Sequence, residues 1–560
     1  MKISKYIKYK LLGQSLFNSE KEPWWLIGFS MILSSGLMIE PQLICASLVN
    51  GELSDMWLYW SAGIGSAFSI SFFAHLWQNI PVKTENEFIF FRFSGIGAKL
   101  LHTFRSLYLG LLIIPFIISF SLLAFAKICC FIFKIDLVTT ILSISSILVL
   151  LTFLNSFRLR LRMDFILFFL FIIIGVILFI NLYSNTGGLY HLSNQLKTKG
   201  YNFSIIPSIG SKGFNAFLIF IMVQWWSASI LDYPDMNGQK LMASRGSNDL
   251  VKSIFLPTMF VFLFRILLFT LPFMAVVYGF AHHSSDNELV FTALFSNLLP
   301  SWMLVLVVLF FIITFLSFVQ NTQNWGGSLL VENFYKHSIN PNMSAAKSKR
   351  LGLLAMVYIL IISIIIAIYA NSLIEITKYL FAITAGVGPV FMLRWYWWRI
   401  NAWSQLSAML AALVYPPILD VLNEKNAIVH QFIINLETNF NVDYYPIKIV
   451  ILTITVCLTW LGVTFCTAPT ETQILQTFAS TVKPGGFWKS FENSGKSFSK
   501  IRYLAWLIQA GNGILTYFIF YNFLVGQYFI FWGLLILFIS CFFISYKLIQ
   551  RANFYYSIQS

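Results

Sequence analysis

The chain alternates long apolar runs with short polar connectors from end to end. Apolar stretches fall at about 24–49, 56–78, 104–133, 137–156, 164–184, 213–231, 253–280, 300–325, 351–370, 373–393, 402–421, 447–467, 503–525 and 527–548. A run of about 18 or more apolar residues can cross a bilayer as a helix, which satisfies its own backbone polar groups. The pattern predicts about fourteen spanning helices. The longest connectors, 184–212 and 468–502, are too short to build a soluble domain.

Two runs are interrupted. The first contains "SSGLMIEPQL", residues 34–43, which sets Glu40 beside Pro41 inside a membrane-length segment. A charge near the centre of a span costs roughly 2.5–3.5 kcal/mol. Proline in a helix interior costs about 3 kcal/mol. The sixth run ends in "QWWSASILDYPDMNG", rich in Pro, Gly and Asp. Breaks at corresponding places in two five-helix halves fit an inverted-repeat transporter, whose unwound backbone holds a cation and whose half-helix ends face the solute. A kinked helix with no such role fits the same pattern.

Composition narrows the class. The chain is 58% hydrophobic and 11% charged, against about 25% charged in soluble proteins. Its mean hydropathy is +0.76. It reads as an integral membrane protein embedded in a lipid bilayer. The net charge of +15 would suit nucleic acid, but the positives sit in short connectors, where they set topology. With the N-terminus in the cytoplasm, the inner side receives Lys2, Lys5, Lys8 and Lys10, the loop with Lys83, Arg92 and Lys99, "RLRLR", "QKLMASRG", "AAKSKR" and "RWYWWR". Roughly 28 of the 37 Lys and Arg then lie inside and about six outside. An even span count returns the C-terminus to the cytoplasm. A polar stretch separates the basic start "MKISKYIKYK" from the first apolar run, so no cleavable signal sequence is predicted. The clusters "WLYW", "QWW" and "WYWW" suit aromatic belts at the membrane interfaces.

Few residues carry obvious chemistry. The six cysteines lie in apolar segments without CxxC spacing and read as small buried hydrophobes. The seven histidines are scattered, with no metal-ligand spacing. No cofactor beyond a possible sodium ion, no nucleic acid and no obligate protein partner is predicted. Glu40 is open to four readings: cation ligand, proton carrier, partner for a cationic solute, or solvated vestibule carboxylate. Asp164 opens the fifth span behind "RLRLR". It reads as a favourable charge at a helix N-terminus, as a partner for Arg158, Arg160 or Arg162, or as functional. The polar run Gln320, Asn321, Thr322, Gln323, Asn324 reads as a solvated helix end or as part of a site.

Several segments resemble a known family. "LFAITAGVGPVFMLRWYWWRINAWSQLSAM" (380–409) looks like the end of the tenth core helix in a bacterial branch of the sodium:solute symporter family. "TENEFIFFRFSG" (84–95) with "FRSLYLG" (104–110) is similar to that branch's loop after core helix 2. "QNWGGSLLVENFYK" (323–336) is similar to its segment after core helix 8, "PWWLIGFSM" (23–31) resembles the start of its core helix 1, and "MDFILFFLFIIIG" (163–175) resembles its core helix 5. The resemblance runs from about residue 16 to 420. It implies an all-α fold with a LeuT-type core of five plus five inverted helices, and uptake of a small solute by alternating access. The implied organisation is a basic segment 1–22, a ten-helix core 23–400 and accessory helices 401–560. The implied cation site takes backbone carbonyls at Ser35, Met38 and about Thr314, the hydroxyl of Ser317, and support from Asp164. The implied solute contacts are Glu40 and Gln42 after the first break, and Trp225 and Trp226 in core helix 6.

The chain departs from that pattern in places. Phe318 stands where the branch has a second cation-binding hydroxyl. The first break reads Ile39-Glu40-Pro41 in place of Asp-Thr-Pro. The glycine-rich stretch after core helix 6 is short, and the helix that leads into the core has no counterpart before residue 22. The expected function is a secondary transporter of a small solute, with weak sodium coupling, proton coupling or none. The alternative is a degenerate transporter-like sensor or scaffold. A membrane enzyme would need clustered acid, base or metal groups at membrane depth, which the sequence does not offer. The expected location is a bacterial inner membrane. Topology reporters fused at Met1 and at Ser560 should both read out as cytoplasmic; extracellular signals from both would overturn this orientation.

Overall fold

The computed structural model describes residues 21–559, except 38, 50–55, 79, 81, 83–84, 154–156, 200–205, 229–231, 233–237, 246, 279–285, 371, 489 and 492–499. Nine helices among the described residues are long and apolar enough to cross a membrane. The other predicted spans are short or interrupted. Trp24–Leu33 and Glu40–Val49 form one broken helix, and Leu137–Phe153 is a short one. The second span is divided into Trp57–Trp60, Ala62–Phe72 and Ala74–Gln78. The sixth passes from Lys212–Ile219 through a π-turn, Phe220–Gln224, into Trp225–Ser227. The tenth is Leu373–Ala382 followed by Gly388–Tyr396.

The periodicity of Phe157–Asn185 shows how these helices are oriented. Ile166, Ile173 and Ile180 recur every two turns and are exposed, as suits lipid. Phe168, Phe171, Leu178 and Leu182 are buried on the opposite face. There the helix packs against Trp24–Leu33 and Met303–Ser328. Ser247–Tyr278 packs against both halves of the first broken helix. At the C-terminal end, Lys500–Val525 pairs with Tyr528–Gln559 and reaches the second span at Ala62–Phe72.

Two features depart from the hydropathy pattern. Connectors hold helices of their own: Leu189–Thr198, Leu289–Leu298, Ala427–Phe440 and Thr472–Val482. The run 373–393, read as continuous, is broken at residues 383–387. Gly386 has φ +80°, a left-handed backbone that favours glycine. A Cβ there would lie 2.6 Å from Val456 Cβ, so the close approach also requires glycine. Its N–H is taken up by Ser227 Oγ at 2.9 Å, which ties this break to the end of the sixth span.

Part of the aromatic clusters is packed inside the bundle. Trp57, Trp60 and Trp395 are buried, and the rings around Trp395 form a compact cluster with Phe88, Phe478 and Trp488. A buried ion pair anchors it. Arg394 Nε donates to Asp232 at 2.6 Å, and Trp395 Nε1 donates to the same carboxylate at 2.7 Å. Arg92 Nε donates to the Arg394 carbonyl at 2.8 Å, and its Nη2 reaches the carbonyls of Trp397, Trp398 and Ile400. The arginine-flanked tryptophan motif is thus an internal clasp, because buried guanidinium groups need carboxylate and carbonyl partners. Asp232→Ala leaves Arg394 buried without its carboxylate, with Gln405 Oε1 at 3.1 Å as a neutral acceptor. It should lower stability by about 3–5 kcal/mol, read as a large fall in the melting temperature of the purified protein. A melting curve superimposable on wild type would refute this role.

Candidate solute and cation site at the first broken helix

The first helix runs from Trp24 to Leu33 and resumes at Glu40. Gly36, at φ +73°, turns the chain between the halves. Pro41 falls in the first turn of the second half, where a missing N–H leaves no helical bond unmade. Proline marks where the second half begins, and glycine makes the turn.

Beneath the break lies a charged group of three elements. Asp164 is 2% exposed and accepts a hydrogen bond from Ser30 Oγ. Lys240, on the short helix Gly238–Met242, is fully buried. Its Nζ donates to the Ser30 carbonyl at 3.1 Å and to Ser34 Oγ at 2.8 Å. Lys240 and Arg160 are the cations that face Asp164. Arg160 also donates to the Gln320 carbonyl at 2.7 Å. Asp164 is therefore not a helix-terminal charge; its helix starts earlier, at Phe157, and its side chain is locked into the bundle.

The predicted site residues divide into groups. Ser317 faces Asp164 but makes no hydrogen bond of ordinary geometry. Phe318 lies against the break: a Cβ at Gly36 would sit 3.4 Å from its ring. Ser35 is exposed at the break, with Oγ bonded to the Ile32 carbonyl at 2.7 Å. The Thr314 hydroxyl is bonded within its own helix, to Phe311 O at 3.1 Å. Met38 lies outside the described residues. Glu40 is half-buried, and Gln42 is fully buried with neither amide atom hydrogen-bonded. Trp225 is placed elsewhere, packed against Phe68 and Trp506. Trp226 Nε1 donates to Met222 O at 2.6 Å within its own helix. The run from Asn321 to Asn324 is buried rather than a solvated helix end.

In the sequence Lys240 reads only as one of the topology-setting charges of "QKLMASRG". Its neighbours Leu241 and Met242 are apolar, which was the available signal. Nor does Ser30 stand out, since a serine in an apolar run carries no signal of its own.

Further contacts hold the ends of the bundle. Glu22 pairs with Arg158 at 2.6 Å, and its N–H donates to the Ala243 carbonyl at 2.7 Å. Lys127 bridges Asp286 at 2.6 Å and Glu288 at 2.5 Å. Glu288 also accepts from Ser372 Oγ at 2.9 Å and Leu373 N at 2.8 Å, which holds the start of the tenth span.

A family model described as the sodium:solute symporter family matches residues 43–412, more than half of the chain. The chain belongs to the sodium:solute symporter family. It is an integral membrane protein and a secondary active transporter of small solutes, not an enzyme. Among solved structures it is similar to a sodium-coupled sialic acid symporter in a substrate-bound, outward-open state. The identity is 15% and the TM-score 0.58, over 83% of this chain and 93% of that one, a likeness of fold. A nucleobase-cation-symport-1 family transporter, in a closed conformation with bromovinylhydantoin bound, gives 12% identity and a TM-score of 0.46. That match covers 84% of this chain and 98% of the other. No curated protein matches the sequence.

Proposed function

We propose that this symporter-family protein carries a small polar solute bound beside the first helix break, through Gln42 and Glu40, with weak sodium dependence or none. The observation that carries this reading is Gln42. A buried amide left without partners costs about 1–3 kcal/mol, and here both of its polar atoms are unpaired. A solute with both a donor and an acceptor would repay that cost. The exposed Ser35 at the same break supports this.

Sodium is a hard cation and seeks several oxygen ligands. At this break the Phe318 ring stands in place of one hydroxyl, and an ammonium is already bonded to Ser30 and Ser34. These residues fit sodium poorly. With both termini in the cytoplasm, Glu22–Arg158 and the Ala243 contact form the inner closure. Lys127 with Asp286 and Glu288 forms the outer one. Alternating access then requires the two sets to break in turn.

A metabolite screen by thermal shift supplies the solute, and counterflow of that labelled solute in proteoliposomes measures transport. Gln42→Leu should lower counterflow at least tenfold while leaving stability unchanged or raised by about 1 kcal/mol, since it removes an unpaired buried amide. Wild-type counterflow in that variant would place the solute elsewhere. Replacing sodium with choline at fixed pH should change wild-type uptake little. A steep, saturable sodium requirement would overturn the reading of weak coupling.

A further inference from the structure

We propose that Lys240 is a tethered cation that stands in for sodium at the first broken helix, so that the chain carries its own positive charge at this site. The proposal deepens the reading of weak sodium coupling and rests on it. Three observations converge. First, the ammonium is fully buried and bonded to the Ser30 carbonyl and Ser34 Oγ. These belong to the last turn of Trp24–Leu33 and its C-cap, where the dipole favours a cation; the Ser30 carbonyl accepts from Lys240 in addition to Ser34 N at 3.1 Å and Ser34 Oγ at 2.9 Å. Second, Ser30 joins this ammonium to Asp164: its carbonyl accepts from Lys240 and its hydroxyl donates to the carboxylate. A buried carboxylate requires nearby positive charge, which Lys240 and Arg160 supply. Third, Ser317 faces the same carboxylate and Phe318 lies on Gly36, so the lysine sits among the elements that the resemblance assigns to the cation.

A tethered cation differs from a free one in one respect: it cannot dissociate down a gradient. It leaves only when its segment moves. That segment is fastened to the start of the first helix, since Ala243 O accepts from Glu22 N and Glu22 pairs with Arg158. Opening of this end therefore withdraws Lys240 from Ser30 and Ser34 as the same segment detaches.

The test uses the purified full chain, melted in sodium chloride or in choline chloride at equal ionic strength, and needs no solute. Wild type and Phe318→Ser should show no sodium-dependent rise in melting temperature. The double variant Lys240→Ala with Phe318→Ser frees the space and the charge, and should gain a saturable rise. If Phe318→Ser alone gains the same rise, the ring and not the lysine excludes sodium; this proposal falls and weak coupling stands. If the double variant gains none, the proposal falls as well. A saturable rise in wild type overturns both readings. Should the alanine variant fail to purify, Lys240→Met keeps the aliphatic stem. Its loss of melting temperature should be largely restored by adding Asp164→Asn, because the defect is one of charge. A combined variant no better than Lys240→Met alone would make the role one of packing and overturn the proposal.

Discussion

Asp164 is a carboxylate held out of water inside an apolar bundle, and the arrangement around the first broken helix follows from that. An ionised group in such surroundings is tolerated only when paired and hydrogen-bonded. Ser30 supplies the hydrogen bond, and Arg160 and Lys240 supply the charge. Each partner comes from a different element. The carboxylate thus fixes the first helix, the fifth span and the short helix Gly238–Met242 relative to one another. The position of the break is a consequence as well as a cause, because Lys240 is bonded at the helix end that the break exposes.

The same rule governs the cluster around Asp232. There a carboxylate from the connector after the sixth span meets Arg394 and Trp395 from the end of the tenth, and Arg92 caps the carbonyls that follow. The two charged knots differ in what surrounds them. Asp232 is packed into aromatic rings, which suits a fixed clasp. Asp164 lies below a break whose Ser35 is exposed and whose Gln42 lacks partners. Unpaired polar groups are what a transient guest can satisfy. One knot holds the protein together, and the other lies below the break at which the solute is proposed to bind.

Hydropathy alone determined a good deal about this protein. Long apolar runs dictate membrane helices because backbone polar groups in lipid have no other partners. A carboxylate and a proline in one run dictated a break near residue 40. The resemblance carried by the arginine-flanked tryptophan motif pointed to the family that the match over residues 43–412 shows.

Other features were decided by tertiary structure. Gly386 reads from sequence as a glycine in a span; the contact with Val456 and the Ser227 hydrogen bond make it a second break. Trp395 reads as an interfacial aromatic, but the carboxylate of Asp232, far away in the chain, draws it inside. Lys240 reads as one basic residue among several in a connector. A lone charge in sequence does not reveal its partners, which here come from residues 30, 34 and 164. Hydrophobic burial is a local property that each segment carries with it. The pairing of charges is not local, and only the folded chain brings the partners together.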